Sequence, residues 1–385
     1  MATLNPSEAA GGASAVYDII NSQNVELAFE KKAPFLLDSF DLTSKSRFEG
    51  TAGALIFKYR SGFGVIAKGK GQFKGEALLA IRGTNDLVRD LVFTDFNAGF
   101  AISPAGQMIH SGFNKTFGSF FGQHVRPFLQ RHQLHNVHCV GHSLGGALAT
   151  LAAERIAAEG LGKPALYTFG SPRVGSGAFA QKLTASISPG NIYRVYHKTD
   201  IVSMLPMWPF IHVPYSGDEY YVESPGIVPW ITYHLMDTYI NSAKVEGWGK
   251  LKKSPPPQDF DAAVIAWLQS QNRFGMTVSS VLMFNHAIAY LLKKILYATG
   301  IVVLGGASSG LTLFDALAQA LARGAAASKQ IKDEVGGLLR QALRMLGKAT
   351  AQVGDITVSF IRSVLMALAR QVYRVAHGAL EAVHR

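Results

Sequence analysis

Apolar residues recur along the first two thirds of this chain in two alternating rhythms. Ala77-Leu-Leu-Ala-Ile81 is a continuous apolar run, and Val137-His-Cys-Val140 is rich in β-branched residues; both patterns belong to strands covered on two faces. Ala165-Leu-Tyr-Thr168 and Asn191-Ile-Tyr-Arg-Val-Tyr196 repeat the pattern further on. Thr51 to Tyr59 and Phe63 to Ala67 read as paired strands joined near Ser61-Gly62. After Val140 a glycine-bearing turn leads into Leu144, Ala147, Leu148, Leu151, Ala152 and Ile156, which are spaced for one face of a helix. Ala15 to Phe29 reads as a first helix behind a loose lead-in over residues 1–14. Buried strands alternating with helices predict an α/β fold, with a central, mostly parallel sheet flanked by helices.

The rhythm changes after residue 250. Lys250-Leu-Lys-Lys-Ser-Pro-Pro-Pro-Gln258 is charged and then carries a proline run that no helix tolerates, so residues 251–258 read as a linker. The chain then divides into an α/β domain over 1–250 and a basic, hydrophobic, all-helical region over 259–385. Asp259 or Asp261 is placed to cap a helix carrying Val264, Ile265, Trp267 and Leu268. Gly275 to Leu292 and Ile295 to Phe314 are uncharged stretches separated by Lys293-Lys294. The second is twenty residues long, enough to cross a bilayer, and holds the small-xxx-small spacing Gly306 to Gly310. Its glycines and the adjacent lysines favour a packed bundle over a span. Asp355 to Arg385 puts Phe360, Ile361, Val364, Leu365, Leu368, Val372 and Val375 on one side and Arg362, Arg370 and Arg374 on another. That is either a helix lying on an anionic surface or a bundle helix with a solvated face.

Charge follows the same boundary. Residues 1–250 carry 22 basic and 19 acidic side chains, against 15 and 7 in residues 251–385, within a net charge of +11. A basic tail on a near-neutral domain points to an anionic partner: a phospholipid membrane surface, an acidic protein or nucleic acid. No zinc-finger, helix-turn-helix or RNA-recognition pattern is present, which places nucleic acid last. The one cysteine, Cys139, excludes intrachain disulfides, and its apolar strand makes it an inert buried thiol. The first thirty residues hold no basic segment followed by an apolar core, so a Sec signal is not expected and the chain is expected in the cytoplasm when made.

The chemistry centres on Gly141-His-Ser-Leu-Gly145, a G-x-S-x-G pattern between a strand and a helix. A serine hydroxyl is a weak nucleophile and must stand where a histidine takes its proton. The strained strand-to-helix turn of the α/β-hydrolase nucleophile elbow does this, and Gly141 and Gly145 keep side chains out of the crowded backbone beside Ser143. His142 is expected to hydrogen-bond backbone. The new helix aims the free N–H of Leu144 at the developing oxyanion. A second donor comes in this chemistry from an upstream strand end, and Arg82-Gly-Thr-Asn85, directly after Ala77–Ile81, offers Thr84.

Four stretches in register resemble lipase class 3, the fungal-type triacylglycerol lipases: Ile81-Arg-Gly-Thr84, Ile109-His-Ser-Gly-Phe113, Gly141-His-Ser-Leu-Gly-Gly146 and Thr168-Phe-Gly-Ser-Pro-Arg-Val-Gly175. The similarity runs from about Gly50 to Ile240. It implies the α/β-hydrolase fold, an esterase acting on lipid, and an oxyanion hole of Thr84 and Leu144. His110 belongs to the family's His-x-Gly-Phe motif, with a structural role. The family carries Asp-Trp shortly after the oxyanion turn, whereas Leu91-Val92 stand here before Phe93-Thr-Asp-Phe-Asn97, so the lid that follows this turn is expected to differ.

Asp200 follows the strand Asn191–Tyr196, the position at which this fold holds its orienting carboxylate, and its Asp-Ile-Val-Ser-Met-Leu-Pro206 resembles the family's acid segment. Asp218 and Asp237 lack such a strand. The base must follow the acid: His234 opens an amphipathic segment, His234-Leu-Met-Asp-Thr-Tyr239, that resembles the family's closing His-to-Tyr type of motif, while His212, inside Phe210-Ile-His-Val213, is the alternative. Met204-Leu-Pro-Met-Trp-Pro-Phe210 reads as an apolar wall of an acyl groove, with Met204, Leu205 and Trp208 as substrate contacts, or as a core loop. No metal-ligand spacing is evident, and acyl transfer through a serine needs no cofactor.

These features predict a lipid-directed serine ester hydrolase, a lipase or phospholipase A. The alternative is a membrane-perturbing protein whose helical tail is the active part. Lipase-like chains with an accessory helical region also resemble type VI secretion lipase effectors, which implies delivery to a rival cell and an immunity protein as partner.

Overall fold

The apolar runs of the first domain form the middle of one sheet in the computed structural model, which describes residues 2–20, 22–52, 59–83, 100–200, 202–206, 209–223, 231–254, 261–271, 278–299, 313–348, 353 and 355–381. In chain order the strands are β1 (Arg47–Ala52), β2 (Tyr59–Lys68), β3 (Glu76–Ile81), β4 (Phe100–Ile102), β5 (Met108–His110), β6 (Asn136–His142), β7 (Lys163–Phe169), β8 (Gly175–Ser176), β9 (Ile192–His197), β10 (Phe210–Ile211), β11 (Glu219–Val222) and β12 (Lys252–Ser254). The main sheet has the order β1-β2-β3-β6-β7-β9-β11-β12. From β3 to β11 neighbouring strands are parallel, and the outer pairs are antiparallel. A smaller antiparallel sheet has the order β10-β8-β5-β4. Every residue of β3 is buried, as its unbroken apolar run requires.

The flanking helices are α1 (Pro6–Asp18), α2 (Val25–Lys32), α3 (Pro34–Ser39), α4 (Ser111–Gly118), α5 (Arg126–His132), α6 (Leu144–Ala158), α7 (Gly177–Ile187) and α8 (Met236–Ser242). A mostly parallel sheet between helices, with the serine turn directly after a central strand, is the α/β-hydrolase architecture. Register decides where the chemistry gathers: Ile81 pairs with Gly141, and Gly141 with Thr168, so the C-terminal ends of β3, β6 and β7 lie level and their loops meet.

Four expectations change. Ala15 to Phe29 is not one helix: α1 ends at Asp18 and α2 begins at Val25, capped by Asn24. Residues 1–14 are not a loose lead-in; they contain most of α1, whose Ala9, Ala10, Ala13 and Val16 have no exposed surface. Asn5 caps it, accepting the Glu8 backbone N–H at 2.9 Å while the Glu8 carboxylate accepts the Asn5 N–H at 2.8 Å. Ser61-Gly62 is not a turn: both lie within β2, opposite Gly50 and Glu49. Gly62 is there because a Cβ would collide with the Ile19 carbonyl and the Arg47 guanidinium. Finally, Lys252–Ser254, inside the stretch read as a linker, is the edge strand paired with β11; residues 255–260 lie outside those described.

The chain divides into two compact units, one formed by 1–206, 210–225 and 230–256, the other carrying the helices of 257–385. The second unit contains α9 (Asp261–Gln269), α10 (Val278–Thr299), α11 (Leu313–Ala327), α12 (Lys329–Met345) and α13 (Val358–Glu381). On α13 the stripe Ile361, Val364, Leu365, Leu368 and Val372 is buried, and Arg362 pairs with Asp315 of α11. The described part of the stripe therefore packs within the bundle. Among the described residues no helix is long and apolar enough to cross a membrane. Of the twenty-residue stretch from Ile295, residues 295–299 close α10 and 313–314 open α11, while 300–312 lie outside the described residues.

Candidate active site

β6 ends at His142 and α6 begins at Leu144, leaving Ser143 alone at the bend with φ 60° and ψ −132°. A positive φ is strained for a residue with a Cβ and persists only where the surroundings enforce it. Here the Ser143 N–H bonds to the Phe169 carbonyl at 3.0 Å, and its own carbonyl receives the Gly146 N–H at 2.9 Å. A Cβ on Gly141 would strike the Gly145 carbonyl, and one on Gly145 the backbone of Ile81 and Arg82, so both glycines are steric requirements of the bend.

Ser143 Oγ lies 2.7 Å from His234 Nε2. On the far side of the same ring, Nδ1 is 3.0 Å and 2.9 Å from the two carboxylate oxygens of Asp200. The carboxylate fixes the tautomer: Nδ1 carries the hydrogen, Nε2 is bare, and Ser143 donates to it. Asp200 has no exposed surface. It also accepts the Val202 N–H at 2.9 Å, the Ser203 hydroxyl at 3.1 Å and the Tyr239 hydroxyl at 2.7 Å. Burial alone pushes its carboxyl up; the adjacent His234 and the hydrogen bonds from His234 and Tyr239 outweigh this and hold it below the ordinary carboxylate value. Gly170, at φ +54°, clears the space, since a Cβ there would come within 2.6 Å of Asp200 Oδ2.

Residues 78–210 match the family described as lipase (class 3). That segment is a class 3 lipase domain. Among curated relatives, the chain is 32% identical over 154 residues to the secreted mono- and diacylglycerol lipase A of Penicillium cyclopium, covering 39% of this chain and 48% of that protein. It is 33% identical over 129 residues to phospholipase A1-IIgamma of Arabidopsis thaliana, 29% of each chain. The match thus spans less than half the length of these relatives. Among solved structures, the lipase of Rhizopus microsporus var. chinensis aligns over 57% of this chain and 75% of its own, at 24% identity and a TM-score of 0.42.

In the class 3 lipase domain and its continuation to residue 254, the competing candidates have other employment. His212 bonds through Nε2 to the Ser203 carbonyl. His110 caps α4, its Nδ1 accepting the Phe113 N–H at 3.3 Å. His142 is bonded on both ring nitrogens, to Tyr17 and to the His234 carbonyl, each at 2.7 Å. Asp218 pairs with Lys253 and Asp237 with Lys32 at the surface. Leu144 is buried at the first position of α6. Thr84 lies outside the described residues, as do Trp208 and the side chain of Met204. Leu205 is described and is buried, as are Ser143 and Leu144.

Sequence reasoning missed Ser203, Tyr239 and Tyr17. Ser203 and Tyr239 had a signal, being a hydroxyl three residues after the acid and a tyrosine closing the His234 segment. Tyr17, at the end of α1, had none.

Proposed function

We propose that this chain is a serine carboxylic-ester hydrolase acting on lipid, a lipase or phospholipase A working through an acyl-enzyme on Ser143. The observation that carries this is the Asp200–His234–Ser143 hydrogen-bonded chain at a strained elbow. Ser143 Oγ attacks the ester carbonyl carbon while its proton passes to His234 Nε2, and Asp200 stabilises the imidazolium without taking a proton itself. His234 then protonates the departing alcohol, and a water, deprotonated by the same nitrogen, releases the fatty acid. The Leu144 N–H at the start of α6, with Thr84, receives the oxyanion; losing one such donor raises the barrier by about 3–4 kcal/mol. Kinship with proteins named as acylglycerol lipases and as a phospholipase A1 supports a lipid ester substrate. The excess of basic residues in 251–385 favours phospholipid, held by charge at a membrane surface.

Ser143→Ala assayed on phospholipid vesicles and emulsified triglyceride tests this directly. Undiminished fatty-acid release by the variant would remove the serine from the mechanism. Delivered to a rival cell, the same activity would make the chain an antibacterial effector with an immunity partner; growth of cells carrying the protein in their periplasm, unaffected relative to Ser143→Ala, would dispose of that role.

A further inference from the structure

Tyr17, in the last turn of α1, reaches the site from outside the family segment. Its hydroxyl is 2.7 Å from His142 Nδ1, and His142 Nε2 is 2.7 Å from the backbone carbonyl of His234. The direction of both bonds follows from the carbonyl, which only accepts. His142 Nε2 therefore carries the hydrogen, Nδ1 is bare, and Tyr17 is the donor. The Gly83 N–H faces the phenol oxygen from the other side, and a Cβ on Gly83 would collide with that hydroxyl. A line of hydrogen bonds thus leads from the end of β3, through α1 and the elbow, to the main chain of the residue bearing the imidazole.

We propose that Tyr17, acting through His142, is a positioning residue that fixes the main chain of His234 and so keeps its Nε2 in reach of Ser143. The proposal rests on reading Ser143, His234 and Asp200 as the reacting triad. His234 has two handles. Asp200 holds its ring, but a ring held at one edge still moves with its backbone, which here is a short 3-10 turn, Ile231–His234, rather than a strand. His142 holds that backbone. Tyr17 makes the handle work because its hydroxyl requires a bare Nδ1. Without it the other tautomer becomes available, with Nδ1 protonated and a bare Nε2 turned against the lone pairs of the His234 carbonyl. The groups facing His142 are Tyr17 from α1, His234, Asp200 from the loop after β9, and the Tyr239 ring from α8 at 5.6 Å, with Arg82 beyond Tyr17. Burial foremost, then the neighbouring His234, push His142 down to about 3, so it stays neutral and the handle stays made wherever His234 works as a base.

The test uses the full chain, p-nitrophenyl butyrate as a soluble ester, and a fluorophosphonate to titrate reactive serine. Tyr17→Phe lowers kcat per titrated site about tenfold with KM unchanged, the range expected for a small misplacement of a reacting group. His142→Phe gives the same loss, and the double variant loses no more than either single one. Nitrogen-15 NMR of the histidine rings shows His142 in the Nε2–H tautomer in the wild type and a mixture in Tyr17→Phe. An active wild type matched in kcat by Tyr17→Phe overturns this proposal alone, as does a loss confined to KM or to the titratable fraction. A wild type inert to both ester and fluorophosphonate overturns the triad reading and this proposal with it. His142→Phe cuts the same line from the other end, so a folding defect in one variant leaves the other to decide.

Discussion

The hydroxyl of Tyr239 donates to Asp200 Oδ2 at 2.7 Å while its own oxygen receives the His197 backbone N–H at 3.0 Å. The phenol is therefore aimed from both sides, and the carboxylate that orients His234 is held from behind. Tyr239→Phe keeps the ring and deletes one hydrogen bond to a buried charge, an interaction of about 1.5–3 kcal/mol. Asp200 retains Val202 and Ser203. The variant is expected to fold, lose about tenfold in kcat and melt lower; steady-state kinetics with calorimetry checks both, and an unchanged kcat would reduce Tyr239 to a packing residue.

The central strands, the elbow and the placing of Asp200 and His234 beside Ser143 were legible from short stretches: an apolar run, a five-residue turn, a carboxylate after a strand and a histidine opening the segment beyond it. What was missed depended on distant partners. Gly62 reads as a turn until Ile19 and Arg47 are known to press on its strand. Tyr17 is an ordinary helical tyrosine until the fold sets it 125 positions away on His142. The α13 stripe suits a bilayer or a bundle equally, since both are apolar, and only its neighbours decide. The α1 helix was different. Asn5-Pro6-Ser7-Glu8 is a capping box with proline at the first helical position, a local signal that the small residues behind it obscured.

That cap gives a stability prediction. Asn5→Ala removes the acceptor for the Glu8 N–H at the start of a helix that is buried along most of its length. The expected loss is about 1 kcal/mol. Asn5→Asp or Asn5→Ser, which keep an oxygen there, should restore most of it. Chemical denaturation of the set checks the order, and an alanine variant as stable as wild type would show that packing alone holds α1.

His142 makes stability depend on pH. Its ordinary value is 6.5 and the folded chain holds it near 3, chiefly by burial. Between these values the unfolded chain binds a proton that the folded chain refuses, so stability is full above about 6.5 and falls as pH drops toward 3. One such group contributes about 1.4 kcal/mol per pH unit in that window. His197 and His212, also shifted down by burial, act in the same direction. His142→Gln should therefore lose stability less steeply than wild type between pH 6 and 4. Parallel slopes in denaturant titrations at those pH values would contradict it.

Gly336 and Gly337 stand side by side in α12, and the same substitution should have opposite signs at the two. Alanine is favoured over glycine in a helix interior by about 1 kcal/mol. At Gly336 a new Cβ meets only the tip of the Arg340 guanidinium, at 3.4 Å, and a methyl of Ile356 at 3.9 Å. Arg340 is flexible and exposed and gives way, so Gly336→Ala should gain most of that propensity. At Gly337 the Cβ would lie 2.7 Å from the carbonyl oxygen of Leu268 and 3.3 Å from its Cβ, where α9 crosses. Backbone cannot swing aside as a side chain does. The two helices must part, at a cost of about 1–3 kcal/mol in a packed interior, which exceeds the propensity gain. Gly337→Ala should also loosen Gln341, one turn along, which donates to the Trp267 and Ser270 carbonyls at 2.7 Å and 3.1 Å and ties the end of α9 to α12. Melting curves of the two variants decide the matter, and a Gly337→Ala chain as stable as Gly336→Ala would mean that α9 does not press on α12 as closely as these distances require.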